Sequence, residues 1–283
     1  MTFRLSATLL ALAVLFASAP VQAADKPAPP PPVVKGPAHG TLIIAGGGKL
    51  GPEILGRFIK LAGGPSAEIV VIPTAGGDKT YGPDCACLKI FRELGAANLT
   101  VLHTLDRKEA DSDAFVAPLK RAKAVWFVGG RQWHLVDSYS GTKTETEIKA
   151  LLARGGVAGG SSAGASIQAS YLVRGARAGN EVVMAPEYEV GWGLIEGAGV
   201  DQHVTARHRE GDLDALVAKH PELLGIGIDQ STAIEVKATS FNVLGAGHVF
   251  IHDGKEQPNG GHYYLMKAGD RFDLKTLTAS AVR

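Results

Sequence analysis

The sequence predicts an α/β fold of three layers: a mostly parallel sheet flanked by helices, with antiparallel strands toward the C-terminus. Three observations carry that expectation. Short β-branched runs at 42–45, 68–73, 98–103, 124–128 and 156–159 alternate with segments of helical apolar spacing at 53–62, 87–94, 111–121 and 144–154. Strict alternation of the two periodicities is the mark of a parallel sheet covered on both faces. Several of the first-half strands run into glycines, as in Ala45-Gly46-Gly47-Gly48, Ala75-Gly76-Gly77 and Val128-Gly129-Gly130. Loops at the carboxyl ends of parallel strands are where ligands bind, so these glycines mark the functional edge. From about residue 224 the pattern changes to apolar runs at 226–228, 233–236, 241–244, 248–252 and 262–266, parted by turn residues with no room for helices. Such spacing predicts antiparallel pairing.

The first residues have a separate logic. Arg4, the apolar run 9–16 and Val21-Gln22-Ala23 predict a secretory signal over 1–23, too short to span a bilayer, which needs about 20 apolar residues. Secretion, to the periplasm or beyond, is the expected location. Residues 24–37, with Pro27-Ala28-Pro29-Pro30-Pro31-Pro32 at their centre, read as an extended proline-rich linker. Residues 38–283 then form a single domain, long enough to bury a core without a metal or disulfides. A formal charge of +1 gives no basic field for nucleic acid, and no later run is apolar enough to cross a membrane. The two cysteines, Cys85 and Cys87, are poorly spaced for a structural disulfide and lack the further ligands of a zinc site. They read as two helix-start residues, with their redox state left open in an oxidising compartment.

The segment 155–166 joins a strand to a helix through small residues, and Gly160-Ser161-Ser162-Ala163-Gly164 fits G-x-S-x-G, the nucleophile-elbow pattern. Small neighbours let the chain turn sharply, so that the Ser162 Oγ projects from the sheet edge while the helix start offers free N–H groups. A glycine-rich turn with a capping serine would look the same, and a phosphate site would need the lysine of a P-loop, which is missing. A serine nucleophile requires a base. Among nine histidines His203, in Asp201-Gln202-His203-Val204-Thr205-Ala206-Arg207, follows an apolar-glycine strand and precedes a polar helix start. Its rivals are His248, His252 and His262.

Taken together, five pieces resemble the cyanophycinase and aspartyl dipeptidase group of serine peptidases. They are the early strand ending in Gly-Gly, Val128-Gly129-Gly130-Arg131-Gln132, Gly160-x-Ser162-Ala163-Gly164-Ala165, Asp201-Gln202-His203 and Gly227-Ile228-Asp229-Gln230-Ser231-Thr232-Ala233. The resemblance spans nearly all the chain beyond the linker and implies a fold similar to class I glutamine amidotransferases. It implies Ser162 as nucleophile, His203 as its base, and the N–H groups of Gly130 and Ala163 as an oxyanion hole. Gln132 would hydrogen-bond the substrate backbone, and Arg207 would meet a substrate carboxylate.

This sequence departs from the family pattern twice. Glutamate commonly follows Gly-Ile-Asp as the third triad member, whereas Gln230 stands here. Its carbonyl can hold the ring but brings no charge, and Asp229, Asp201 and Glu181 remain alternatives for orienting the histidine. The segment 206–212 also has fewer arginines and more acids than the cyanophycinase pattern. The expected activity is exopeptidase release of β-aspartyl-arginine from cyanophycin, the arginine-bearing aspartate polymer, without metal or organic cofactor. An aspartyl or isoaspartyl dipeptidase and a non-catalytic binding homologue are the alternatives. The substrate is the expected partner, and a homodimer is the assembly to test for.

Overall fold

The computed structural model describes residues 30–257 and 261–281. The expected signal segment lies outside the described residues. In chain order the strands are β1 (Thr41–Ala45), β2 (Glu68–Ile72), β3 (Asn98–Val101), β4 (Ala124–Phe127), β5 (Val157–Ser161), β6 (Ala169–Tyr171), β7 (Ile195–Gln202), β8 (Leu224–Ile228), β9 (Thr232–Lys237), β10 (Ser240–Gly245), β11 (His248–His252), β12 (Tyr264–Lys267), β13 (Asp270–Asp273) and β14 (Thr278–Ala281). The helices are α1 (Arg57–Leu61), α2 (Lys89–Glu93), α3 (Arg107–Ala110), α4 (Asp113–Arg121), α5 (Gln132–Tyr139), α6 (Lys143–Ala153), α7 (Ala163–Ser166) and α8 (Asp212–Lys219).

Nine strands form one sheet in the order β14-β13-β10-β9-β1-β5-β4-β2-β3. Strands β1, β5, β4, β2 and β3 are mutually parallel, and β9, β10, β13 and β14 extend the sheet antiparallel from β1. The period-2 alternation explains why helices cover both faces. Leu42, Ile44, Val70, Ile72, Val125 and Phe127 point to one core, where they meet Leu119 of α4, Leu135 of α5 and Ile148 and Leu151 of α6. Their alternates Ile43, Ala45, Ile69, Val71, Ala124 and Trp126 point to the other, against Ile54, Phe58 and Phe91. Phe58 and Trp126 meet edge to face at 5.0 Å, the arrangement that aromatic quadrupoles favour.

A second sheet, β12-β11-β8-β7-β6, packs Ala198, Val200, Ile226, Ile228, Val249 and Ile251 into the first of these cores. Within it β8 runs antiparallel to β11 but parallel to β7, so of the strands expected to be antiparallel only β8 has a parallel neighbour, while β9, β10, β11 and β12 pair antiparallel as expected. The parallel pairing follows from α8, which crosses between β7 and β8 and buries Leu213 and Leu216 against Val173. Among the described residues no helix is long and apolar enough to cross a membrane.

Two expectations are corrected. Cys85 and Cys87 are joined in a disulfide. The chain is extended at Cys85 and then enters a 3₁₀ turn over Ala86–Leu88, which brings the two Cα atoms to 5.1 Å, within the span of a disulfide despite the single intervening residue. The end of the expected linker also belongs to the domain. Val34 is buried, Lys35 exchanges both backbone hydrogen bonds with Glu196, and the Gly36 N–H donates to the Ala238 carbonyl.

Candidate active site

The parallel strands β1, β4 and β5 end side by side, and their following loops meet at Ser162. Ser162 sits between β5 and α7 with φ +56° and ψ −116°, a backbone state costly for any residue with a Cβ. It persists because the turn is held on both sides. The Ser162 N–H donates to the Ala45 carbonyl at 3.0 Å, and the Ser162 carbonyl accepts from the N–H groups of Ala165 and Ser166. Gly160 and Gly164 are needed for the same turn, since a Cβ on Gly160 would lie 2.3 Å from the Gly164 carbonyl oxygen. The small-residue pattern therefore has a steric cause.

Ser162 Oγ lies 2.9 Å from His203 Nε2, although the two residues come from different sheets. His203 follows β7, is buried, and also has a positive φ of 56°. Its N–H donates to the Gly46 carbonyl at 3.0 Å, and its ring rests on Gly47, where a Cβ would stand 2.3 Å from His203 Cε1. The glycine run after β1 is thus the floor under the imidazole. Burial, reinforced by the nearby Arg207 and Arg209 charges and opposed by Asp201, pushes the His203 pKa down to about 4. At neutral pH the ring is uncharged and able to accept a proton.

Of the four residues considered for orienting the histidine, Gln230 alone has a hydrogen-bond contact with it among the described residues, with its Nε2 2.9 Å from His203 Nδ1. The other three are occupied elsewhere. Asp201 is fully buried in a two-pronged pair with Arg174. Asp229 accepts from the backbone N–H groups of Thr205 and His248. Glu181 is exposed, with Arg209 its ion-pair partner at 3.8 Å. The rival histidines also lie away from Ser162: His252 is buried against Asp214, while His248 and His262 are exposed.

The candidate oxyanion donors stand at two loop ends. Ala163 is the first residue of α7, so its N–H has no intrahelical partner. Gly130 is exposed with φ +147°, and a Cβ there would approach the Ala75 carbonyl oxygen to 2.0 Å. Neighbouring Gly129 is close to the serine, its would-be Cβ 3.1 Å from Ser162 Cβ. Gln132 is buried at the start of α5 and donates its amide to the Val173 carbonyl at 3.2 Å, so this part of its side chain holds the fold. Arg207 is exposed in the turn after His203 and makes no side-chain hydrogen bond or ion pair with the described residues. A cleft of about 580 Å³ opens beside Gly129, lined by Asp78, Tyr81, Asp84 and the disulfide.

Sequence reasoning missed Arg174 and Arg209, which are buried beside the histidine loop. Arg209 carried a weak signal as part of the acidic and basic run 206–212, but Arg174 had none.

Comparison with known proteins agrees with this geometry. The model of peptidase family S51 matches residues 42–244, a span that begins in β1 and ends in β10 and contains Ser162, His203 and Gln230. A cyanophycinase from Geminocystis herdmanii is 33% identical over 80% of this chain and 89% of its own length. A cyanophycinase from a Nostoc species is 33% identical over 79% of this chain and 81% of its own. The crystal structure of a peptidase from an acI-B1 Actinobacterium superposes with a TM-score of 0.61 at 24% identity, covering 84% of this chain and 98% of that one, and shares the fold. With its strand-to-helix serine facing a buried histidine inside the matched span, the chain belongs to peptidase family S51 and is a serine-type peptidase.

Proposed function

We propose that this peptidase is a secreted exopeptidase that cuts cyanophycin to β-aspartyl-arginine dipeptides through an acyl-enzyme on Ser162. The observation that carries the chemistry is the 2.9 Å approach of Ser162 Oγ to the neutral His203 ring. The substrate is inferred from the cyanophycinases that share about a third of the sequence. Ser162 Oγ attacks the scissile carbonyl while His203 Nε2 takes its proton. The resulting oxyanion is met by the N–H groups of Gly130 and Ala163. His203 then gives the proton to the leaving amine, and a water, deprotonated by the same ring, hydrolyses the ester. Gln230 orients His203 through Nδ1, Gln132 lies at the substrate's backbone, and Arg207 offers a planar fork to a substrate carboxylate.

One observation favours a shorter substrate. Arg174 and Arg209 are buried with carboxylate partners, which leaves Arg207 as the exposed arginine of the histidine loop. A single cation suits a dipeptide with one carboxylate near the scissile bond, as in an aspartyl or isoaspartyl dipeptidase. The deciding assay is release of β-aspartyl-arginine from purified cyanophycin, with short β-aspartyl and α-aspartyl peptides in parallel and Ser162→Ala as control. Polymer release lost in the Ser162→Ala protein supports the first reading. Cleavage of peptides alone moves the assignment to the second, and no turnover of either refutes both.

A further inference from the structure

The loop from Asp201 to Asp212 carries His203 and Arg207, and both of its ends are tied to one side chain from another segment. Arg174, fully buried just after β6, donates from Nε to Asp201 Oδ1 and from Nη2 to Asp201 Oδ2, each at 2.8 Å. The same Nη2 reaches Asp212 Oδ2 at 2.5 Å, and Nη1 donates to the Asn180 carbonyl at 2.7 Å. Arg209 fills the space inside the loop, donating from Nη1 to the Gln202 carbonyl at 3.1 Å, with Asp201 Oδ1 3.6 Å away. Asp201 Oδ1 also accepts the Gln202 N–H at 2.8 Å. Two arginines and two aspartates thus balance in a region mostly closed to water.

A buried ion pair is weak grounds for claiming stability, because its desolvation cost rivals its attraction. What such a pair can do is fix one arrangement. His203 needs that, since its positive φ is a strained state that persists only where the surroundings over-determine it. A histidine displaced by an ångström would no longer reach Ser162 Oγ.

We propose that Arg174 is a positioning residue, which joins Asp201 to Asp212, closes the His203 loop and so sets Nε2 against Ser162 Oγ. The proposal rests on Ser162 and His203 being nucleophile and base. Arg174 touches neither, and acts through the loop.

The test uses the rate at which a fluorophosphonate labels Ser162, which needs no peptide substrate and reads the ability of His203 to take the serine proton. Arg174→Ala is expected to label at least about tenfold more slowly than the unaltered protein. Millimolar guanidinium should restore much of that rate by refilling the vacated site, and Arg174→Lys, which cannot bridge both aspartates in the same plane, should stay slow. Arg174→Ala that is folded and labels at the unaltered rate overturns the proposal. So does recovery of its melting temperature by guanidinium without recovery of its labelling rate. Should Arg174→Ala fail to fold, Asp212→Asn decides: its carboxylate is partly exposed and the Arg174–Asp201 pair survives. A fewfold slower labelling with little change in melting is then expected, and an unchanged rate overturns the proposal. Unaltered protein that labels but releases nothing from cyanophycin refutes the substrate alone, and the variant series still decides on Arg174. Unaltered protein that does not label refutes the nucleophile and the clamp with it.

Discussion

Gln230 faces His203 with an amide where a carboxylate would leave only one tautomer. The Nε2 of Gln230 stands 2.9 Å from His203 Nδ1, an arrangement in which the amide donates and the ring carries its proton on Nε2, toward Ser162. Proton abstraction needs the reverse. A half-turn of the amide puts its carbonyl on Nδ1–H and frees Nε2, so the glutamine supports both tautomers and favours neither strongly. Gln230→Glu is therefore expected to raise the rate of Ser162 labelling by about tenfold or more, since a triad carboxylate fixes the tautomer and stabilises the imidazolium. Gln230→Ala should lower it. A slower Gln230→Glu protein would show that the loop is adapted to the neutral partner.

Proton binding at His203 sets the expected pH dependence. The ring works as the neutral base, and its pKa is pushed from 6.5 down to about 4, first by burial and then by Arg207 and Arg209. Activity should rise through about pH 4 and stay level from there to neutrality, rather than falling below pH 6.5. Stability depends on the same proton and runs in the same direction. Between 6.5 and about 4 the unfolded chain binds a proton at this position that the native state refuses, so stability falls as pH falls through that window. His134 and His252, both lowered chiefly by burial, add to it with the same sign. Urea midpoints measured across this range should show a shallower slope for His203→Asn than for the unaltered protein. An acid limb of the labelling rate centred near 6.5 would contradict the buried, neutral ring.

Gly47 should be far less replaceable than its conformation alone requires. Gly47 and Gly64 both have positive φ, of 105° and 94°, so either alanine substitution is strained, by about 1 kcal/mol or more. Around Gly64 nothing lies within 4 Å of an added Cβ, whereas at Gly47 the methyl would overlap the His203 ring at 2.3 Å. Gly64→Ala is expected to lower the melting temperature and leave labelling of Ser162 unchanged. Gly47→Ala should cost about a hundredfold in labelling rate, because the ring must move off the serine. Equal labelling by the two variants would mean that the ring is not seated where the glycine run puts it.

Arg207 can be tested separately from the clamp behind it. It is exposed and unpaired among the described residues, so Arg207→Met should leave folding and Ser162 labelling near normal while raising KM for a carboxylate-bearing peptide about tenfold or more. Loss in kcat with KM unchanged would place its action on His203 rather than on substrate. Its removal also takes away one of the charges that depress the His203 pKa, so the acid limb should move upward.

What the sequence made legible was whatever is local. The alternation of strand and helix periods located β1 to β5 to within a few residues, because β1, β2, β4 and β5 bury both faces and read as nearly continuous apolar runs, while the edge strand β3 shows the plain alternation of a half-covered strand. Gly160 to Gly164 was legible because steric demands at one turn leave a compositional trace. The expected partners Ser162, His203 and Gln230 do meet, though their pairing across two sheets came from the motif order and not from periodicity. Arg174 escaped notice since its partners are 27 and 38 residues away, and a charged residue in a loop ordinarily reads as surface. Gln132 illustrates the limit differently. The motif suggested a contact with substrate, whereas the coordinates show its amide engaged with the Val173 carbonyl.

The Cys85–Cys87 disulfide offers a last contrast, between stability and binding. It closes a ring around Ala86 alone, so the freedom it removes from the unfolded chain is small, worth about 2 kcal/mol or less. Yet both cysteines line the cleft beside Gly129, whose would-be Cβ lies 3.1 Å from the Cβ of Ser162. The cleft is also where Asp78 and Asp84 could face a cationic substrate side chain. Opening the disulfide frees the chain at 85–87 without touching Ser162, His203 or Gln230. Cys85→Ser/Cys87→Ser is therefore expected to melt within a few degrees of the unaltered protein and to label at the same rate, while KM for an arginine-bearing substrate rises severalfold. An unchanged KM would mean that the cleft wall does not meet the substrate, and a large fall in melting temperature would mean that the disulfide holds more of the domain than its short ring implies.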